Sequence, residues 1–111
     1  MKLPQAESAF IARLKLRDYS LNPQHPRGKH KARLFAAILG LTQQDDELLK
    51  SLIFQAIQQA EAIPGDIDEY GQRYRVNFPL TRNQTTATVC TSWIIRPSET
   101  FPRLVSCYIL R

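Results

Sequence analysis

Two histidines and two lysines lie within one short segment, HPRGKHK, at residues 25–31. His25 and His30 can exchange a proton near neutral pH, and Lys29 and Lys31 carry fixed positive charge. Cleavage of RNA without a metal needs a base for the 2′-hydroxyl, an acid for the departing 5′-oxygen and positive charge beside the phosphate. The residue types in this segment therefore suit phosphodiester chemistry.

A serine and a tyrosine near the end of the chain could complete such a site. The segment RLVSCYIL, Arg103–Leu110, predicts a β-strand. Alternation along a strand places Ser106 and Tyr108 on one face, and Val105, Cys107 and Ile109 on the face expected to meet the core. The alternative interpretation is a half-exposed polar face without chemistry.

Further cations are expected to surround these groups. Arg73 and Arg75 fall on the polar face of a predicted strand, RYRVNFPL at Arg73–Leu80, while Arg96 and Arg103 flank the last loop. If this face opens toward the start of the helix after Gly28, the cations converge on one groove. Otherwise their long side chains simply extend into water, where their charge is screened.

The start of that helix is a second attractor for anions. Lys29 and Lys31 sit where a helix presents unpaired N–H groups and partial positive charge, which disfavours cations but suits a phosphate. A bound phosphate would pair with the free N–H groups and would offset the repulsion between the basic side chains and the positive end of the helix. We therefore expect a phosphate to bind the unpaired N–H groups together with Lys29, Lys31, His25 or His30 around them. The alternative is that the long basic side chains extend into water, where the repulsion is mostly screened.

The elements that must position these residues form a helical half followed by a strand-rich half. Apolar periodicity and helix-breaking residues predict three helices. The first covers about 9–19, and the second covers Lys29–Leu39 and ends at a cap on Gly40. The third begins at Thr42, with Asp45 in its first turn, and ends at Ile63–Gly65. Strands are predicted at 73–80, 86–95 and 103–110. This order predicts an α+β fold, with two or three helices on an antiparallel sheet of three to four strands.

The 111 residues are expected to form a single domain, 1–111, with net charge +5, a balance that favours anionic partners. No apolar run approaches the length of a membrane span, and no metal-ligand cluster or phosphate-binding glycine loop predicts a metal or cofactor. Cys90 and Cys107 are expected to be buried thiols of a reduced, cytoplasmic protein, and Trp93 a core anchor.

Four segments carry a family resemblance: KLRDYSLNPQHPRGKHKARLFAAILGL, DEYGQRYRVNFPL, SWIIRP and FPRLVSCYIL. They resemble a bacterial family of unknown function, DUF6883, over nearly the whole chain. The helix-start pattern and the Ser-x-Tyr strand are more distantly similar to BECR-type ribonuclease toxins (barnase, EndoU, colicin and RelE-like).

The more distant resemblance implies an α+β ribonuclease that needs no metal and has a small cognate antitoxin. It implies His25 as base or acid, Lys31 as phosphate clamp, and Ser106 and Tyr108 as positioner and proton partner. His30 has no clear counterpart, and Ser106 stands where threonine is more usual.

We expect a toxin-like, metal-independent endoribonuclease with RNA as substrate and an antitoxin, expected to be acidic, as partner. Its substrate-binding residues would be Lys29, His30, Arg73, Arg75, Arg96 and Arg103. Two alternatives remain open: a non-catalytic module that binds RNA or protein, and an antitoxin or accessory protein. The sequence leaves the oligomeric state undetermined.

Overall fold

The computed structural model describes residues 1–110 and confirms the α+β prediction: three helices precede a four-stranded antiparallel sheet. The helices are α1 (Arg13–Lys15), α2 (Lys29–Leu39) and α3 (Asp46–Ile57). The strands are β1 (Ala62–Asp68), β2 (Gly71–Arg82), β3 (Thr85–Ile95) and β4 (Arg103–Leu110). Short 3₁₀ turns occupy Ala6–Ser8 and Gln43–Asp45, and a π-helical turn, Leu16–Ser20, continues α1.

The first predicted helix begins later than its sequence pattern suggests. The chain before it is extended: the amide of Phe10 donates to Pro102 O, and the amide of Leu104 donates to Phe10 O. This pairing beside β4 satisfies backbone groups that a helix would otherwise have used. Helix α1 therefore starts at Arg13, and Ser20 ends its π-helical continuation.

Helix α2 has the predicted bounds, and local chemistry explains its end. Gly40 adopts a left-handed conformation (φ 66°), and the amide of Leu41 returns to the carbonyl of Phe35 at 3.0 Å. The next helical segment opens with the predicted capping box, in which the Thr42 amide donates to Asp45 Oδ2 at 2.8 Å. These two caps fix the corner between α2 and α3.

The sheet has the order β1-β2-β3-β4, so β1 and β4 are its edges. Its core face meets α2 and α3, with Phe35 and Ile53 packed in the same cluster as Val76 and Trp93. Strand β1 replaces the predicted helix end at Ile63–Gly65, because Ala62 and Ile63 pair with β2.

A buried hydrogen-bonded pair ties the centre of the sheet together. Trp93 is fully buried, as predicted, and its Nε1–H donates to Thr91 Oγ1 at 2.8 Å. The Thr91 hydroxyl donates in turn to the carbonyl of Val76 at 2.7 Å. The Trp93 and Thr91 side chains are thus both hydrogen-bonded within the core.

The expected burial of Val105 is wrong, because a register shift changes which residues of β4 face the core. Ser106 pairs with Ser92, but Leu104 pairs with Trp93, which leaves Val105 as the extra residue of a bulge. Leu104 is buried and Val105 is 38% exposed. Cys107 and Ile109 are buried, as the sequence predicts.

Candidate functional site

The His25 side chain caps the start of α2. Its Nδ1 accepts hydrogen bonds from the amides of Arg27 and Gly28, each at 3.0 Å, and its carbonyl accepts from Lys29 N at 3.0 Å. Of the amides in the first turn of α2, that of Lys29 is therefore paired, and the binding of a phosphate at the helix start stays a prediction. Because Nδ1 is an acceptor, the neutral imidazole carries its proton on Nε2.

Tyr19, on the π-helical turn, links His25 to Lys31. Its ring centroid lies 4.5 Å from that of His25 in an edge-on arrangement, and the Lys31 ammonium lies 5.5 Å from its centre. Gly28 makes this proximity possible, because a Cβ there would stand 2.4 Å from the Tyr19 carbonyl oxygen. The backbone of the His25 loop therefore packs directly on the π-helical turn.

Lys31 also reaches Tyr108 on the edge strand β4. Its Nζ lies 5.1 Å from the centre of the Tyr108 ring, so one ammonium contacts two aromatic rings. A polar contact with the Cys90 thiol, repulsion from Cys90 and burial raise the pKa of Tyr108, which the Arg75 guanidinium opposes. The phenol therefore holds its proton more firmly than an unperturbed tyrosine does.

Ser106 lies in the same groove as His25. This hollow, which we call the His25 groove, holds about 440 Å³ and is also lined by Asp18, Tyr19 and Val105. Ser106 and Val105 continue into a second hollow of about 470 Å³ that Arg73 and Arg75 line. The structure thus brings His25, Lys31, Ser106 and Tyr108 to one region, joined through Tyr19.

Two of the remaining predicted cations, Arg73 and Arg103, have acidic partners in the fold. Arg73 lies 3.6 Å from Asp68. The guanidinium of Arg103 donates to both carboxylate oxygens of Glu99, at 2.8 and 2.7 Å, and lies over the rings of Phe10 and Phe101. Arg103 is therefore committed to the structure of the β3–β4 loop rather than to the groove.

Lys29, His30 and Arg96 stand apart. Within residues 1–110, no side-chain hydrogen bond, ion pair or cation–π contact joins them to the four candidate catalytic side chains. His30 and Arg96 are exposed and Lys29 is half-buried. Their predicted role in substrate binding stays a prediction.

Sequence reasoning missed three residues of this site. Tyr19 holds the cluster together, Asp18 lines the His25 groove, and Lys15 donates to the carbonyl of Val105 at 3.0 Å. None has a motif around it in the sequence. Their proximity to Ser106 arises only because α1 packs beside the edge of β4.

The two cysteines are buried free thiols, as predicted. Burial, together with repulsion from Cys90, raises the pKa of Cys107 to about 12, against a smaller lowering by Lys31. The thiol of Cys107 is thus protonated and shielded, and we assign it no part in chemistry. In the described part of the chain, no three His, Cys, Asp or Glu side chains gather to hold a metal ion.

No helix within residues 1–110 combines the length and the apolar character that a membrane span requires.

Comparison with known proteins gives one match. No curated protein and no solved structure matches the chain, and no comparison supports the more distant resemblance to ribonuclease toxins. A family model described as a domain of unknown function, DUF6883, matches residues 2–111. That match covers almost the entire sequence, and the chain belongs to the DUF6883 family.

Proposed function

We propose that this protein is a metal-independent endoribonuclease and the toxin of a bacterial toxin–antitoxin pair. The observation that carries the proposal is the cluster in which Tyr19 links His25 to Lys31, and Lys31 in turn contacts Tyr108. The Lys31 ammonium thereby contacts both the ring that packs on His25 and the ring of Tyr108, and the proposal is that a phosphodiester binds among these groups.

The geometry favours distinct roles for these groups. His25 presents Nε2–H, so it acts as a hydrogen-bond donor to a phosphate oxygen rather than as the base. Lys31 supplies positive charge to the pentacovalent phosphate. Ser106, which shares the groove with His25, orients the phosphate through its hydroxyl.

Two other side chains, Tyr108 and Asp18, transfer the protons. Tyr108 donates its proton to the departing 5′-oxygen, and the nearby cations Lys31 and Arg75 stabilise the phenolate as it forms. Asp18 is the carboxylate that lines the groove, and it acts as the base that accepts the proton of the attacking 2′-hydroxyl. The products would be a 2′,3′-cyclic phosphate and a free 5′-hydroxyl.

The test is cleavage of single-stranded RNA in the presence of EDTA, with the product ends identified by mass spectrometry. His25→Ala would remove a helix cap as well as Nε2, so His25→Asn is the sharper variant. The asparagine oxygen can still accept the amide hydrogen bonds of the loop. Loss of one donor to the transition state predicts a fall in rate of about 10²–10³-fold.

The matched control is Gln24→Asn, an exposed side chain in the same loop that lines neither hollow, which should leave the rate unchanged. A wild-type protein that binds RNA but produces no cyclic-phosphate ends at any pH would exclude the nuclease. In cells, induction should stop growth, and co-expression of a neighbouring gene should restore it.

The second candidate is a non-catalytic module that binds RNA or an acidic protein. The net charge of +5 and the exposed Arg75 on the polar face of the sheet favour it. The same charge suits an acidic antitoxin, which would block the His25 groove. The proposal also assigns the protein to the cytoplasm, where RNA and such a partner would be encountered.

A further inference from the structure

A second hollow adjoins the His25 groove on the polar face of the sheet. One row of cross-strand partners runs along it: Ile63 pairs with Arg75, Arg75 with Ser92, and Ser92 with Ser106. The row crosses four adjacent strands and is therefore about 14 Å long, because neighbouring strands lie about 4.8 Å apart. The row ends at Ser106, which also lines the His25 groove.

The walls of this hollow suit a flat, polar, uncharged group. Ile63 is 58% exposed and Val105 is 38% exposed, and both line the hollow with apolar surface. Between them, Arg75 offers hydrogen-bond donors and Ser92 a hydroxyl. A nucleobase has this combination of apolar faces and a polar edge.

An acidic side chain adds a hydrogen-bond acceptor to this hollow. Asp66 lines it together with the arginines, and Asp68 lies 3.6 Å from Arg73. These carboxylates partly offset the positive charge of the two arginines. Asp66 can accept a hydrogen bond from a base N–H, and Arg75 can donate to a base oxygen or nitrogen.

We propose that the hollow binds the base next to the phosphodiester held in the His25 groove, and thereby selects single-stranded RNA. The inference rests on the proposed function for the position of that phosphodiester. In a duplex the edges of the bases are paired and their faces are stacked, so a base cannot enter the hollow. Single strands can unstack one base and place it there.

The experiment measures binding separately from cleavage. The probe is a fluorescent 2′-O-methyl RNA octamer, which lacks the attacking hydroxyl, titrated in EDTA as a single strand and as the matching duplex. We expect the single strand to bind at least about tenfold tighter, because only the single strand can place a base in the hollow. Equal affinities for the two forms would overturn the inference.

Asp66→Asn separates base recognition from simple electrostatics. Removing a negative charge from a non-specific basic surface would strengthen binding to all four homopolymers alike. If Asp66 contacts a base, at least one homopolymer should instead bind several-fold more weakly. Uniform strengthening of all four would contradict the proposal.

Arg75→Gln tests the contribution of the Arg75 guanidinium, and Arg33→Gln is its matched control. Both remove one exposed positive charge, but Arg33 lies on α2 outside the hollow. We expect Arg75→Gln to reduce the preference for the single strand about tenfold, and Arg33→Gln to weaken both forms equally. Circular dichroism checks that each variant is folded, and equal effects of the two variants would count against the hollow.

The two proposals fail in different ways. Preferential binding of single strands without any cleavage of unmodified RNA would exclude the nuclease and leave the base-binding hollow standing. Cleavage of single strands and duplexes at the same rate would exclude the hollow and leave the nuclease standing.

Discussion

The imidazole of His25 has two nitrogens with different tasks. Nδ1 accepts two backbone hydrogen bonds and holds the loop before α2, so only Nε2 is available to a ligand. Four basic residues at residues 27–33 surround this cap. The imidazole lone pair satisfies the amides of Arg27 and Gly28 just before the helix, and the His25 carbonyl satisfies the amide of Lys29, its first residue.

Tyr19 yields a prediction at the residue scale. Tyr19→Leu removes the ring that contacts both His25 and Lys31, whereas Tyr19→Phe keeps it. Cation–π energies of roughly 0.5–2 kcal/mol predict that the leucine variant cleaves RNA about 2- to 30-fold more slowly. The phenylalanine variant should match the wild type in the same assay.

An independent readout accompanies that prediction. The imidazole proton resonances of His25 should move in Tyr19→Leu, because the neighbouring ring current is lost, and stay in place in Tyr19→Phe. If the leucine variant leaves both the spectrum and the rate unchanged, Tyr19 does not position His25 or Lys31.

At the scale of elements, the contact between the His25 loop and the π-helical turn depends on Gly28. A Cβ at this position would stand 2.4 Å from Tyr19 O, so Gly28→Ala must push the two segments apart. We expect a loss of about 1–3 kcal/mol in the free energy of unfolding, measured with urea. Gly65→Ala is the control, since its Cβ would meet atoms no closer than 3.5 Å.

The β3–β4 loop is fastened to β4 by the ion pair between Glu99 and Arg103, and this gives a pH prediction. The Arg103 hydrogen bond holds the pKa of Glu99 below its usual value. A carboxylate with a lowered pKa in the fold stabilises it above the ordinary carboxyl pKa, and the effect disappears as pH falls through the lowered value.

Glu99→Gln should therefore remove part of the acid sensitivity. Between about pH 6 and about pH 3, the melting temperature of the wild type should fall further than that of the variant. Parallel curves for the two proteins would show that Glu99 contributes nothing to the pH dependence. The exposed Glu7→Gln serves as the control and should follow the wild type.

At the scale of the whole molecule, stability depends on a core that contains one buried polar pair. Thr91→Val preserves the shape of the side chain but leaves Trp93 Nε1–H and the Val76 carbonyl without this partner. An unsatisfied buried group predicts a loss of about 1–3 kcal/mol in unfolding free energy. The exposed Thr88→Val, on the same strand, should change it little.

Much of the fold could be read from local patterns. Helix α2 and strand β4 have the predicted bounds, because apolar periodicity, the Gly40 cap and strand alternation are properties of neighbouring residues. The bulge at Val105 and strand β1 could not be read in this way. Both depend on pairing with a strand that is distant in sequence, where register rather than propensity decides.

The candidate site also combines features that follow from neighbouring residues with features that depend on distant contacts. The sequence by itself determined which residue types were present and that Ser106 and Tyr108 share a strand face. Only the tertiary structure decided that Tyr19 joins His25 to Lys31, that Lys31 reaches Tyr108, and that His25 commits Nδ1 to its own loop. The reason is physical: composition and spacing fix chemistry and local periodicity, while packing across long separations fixes which side chains meet and which atoms remain free to act.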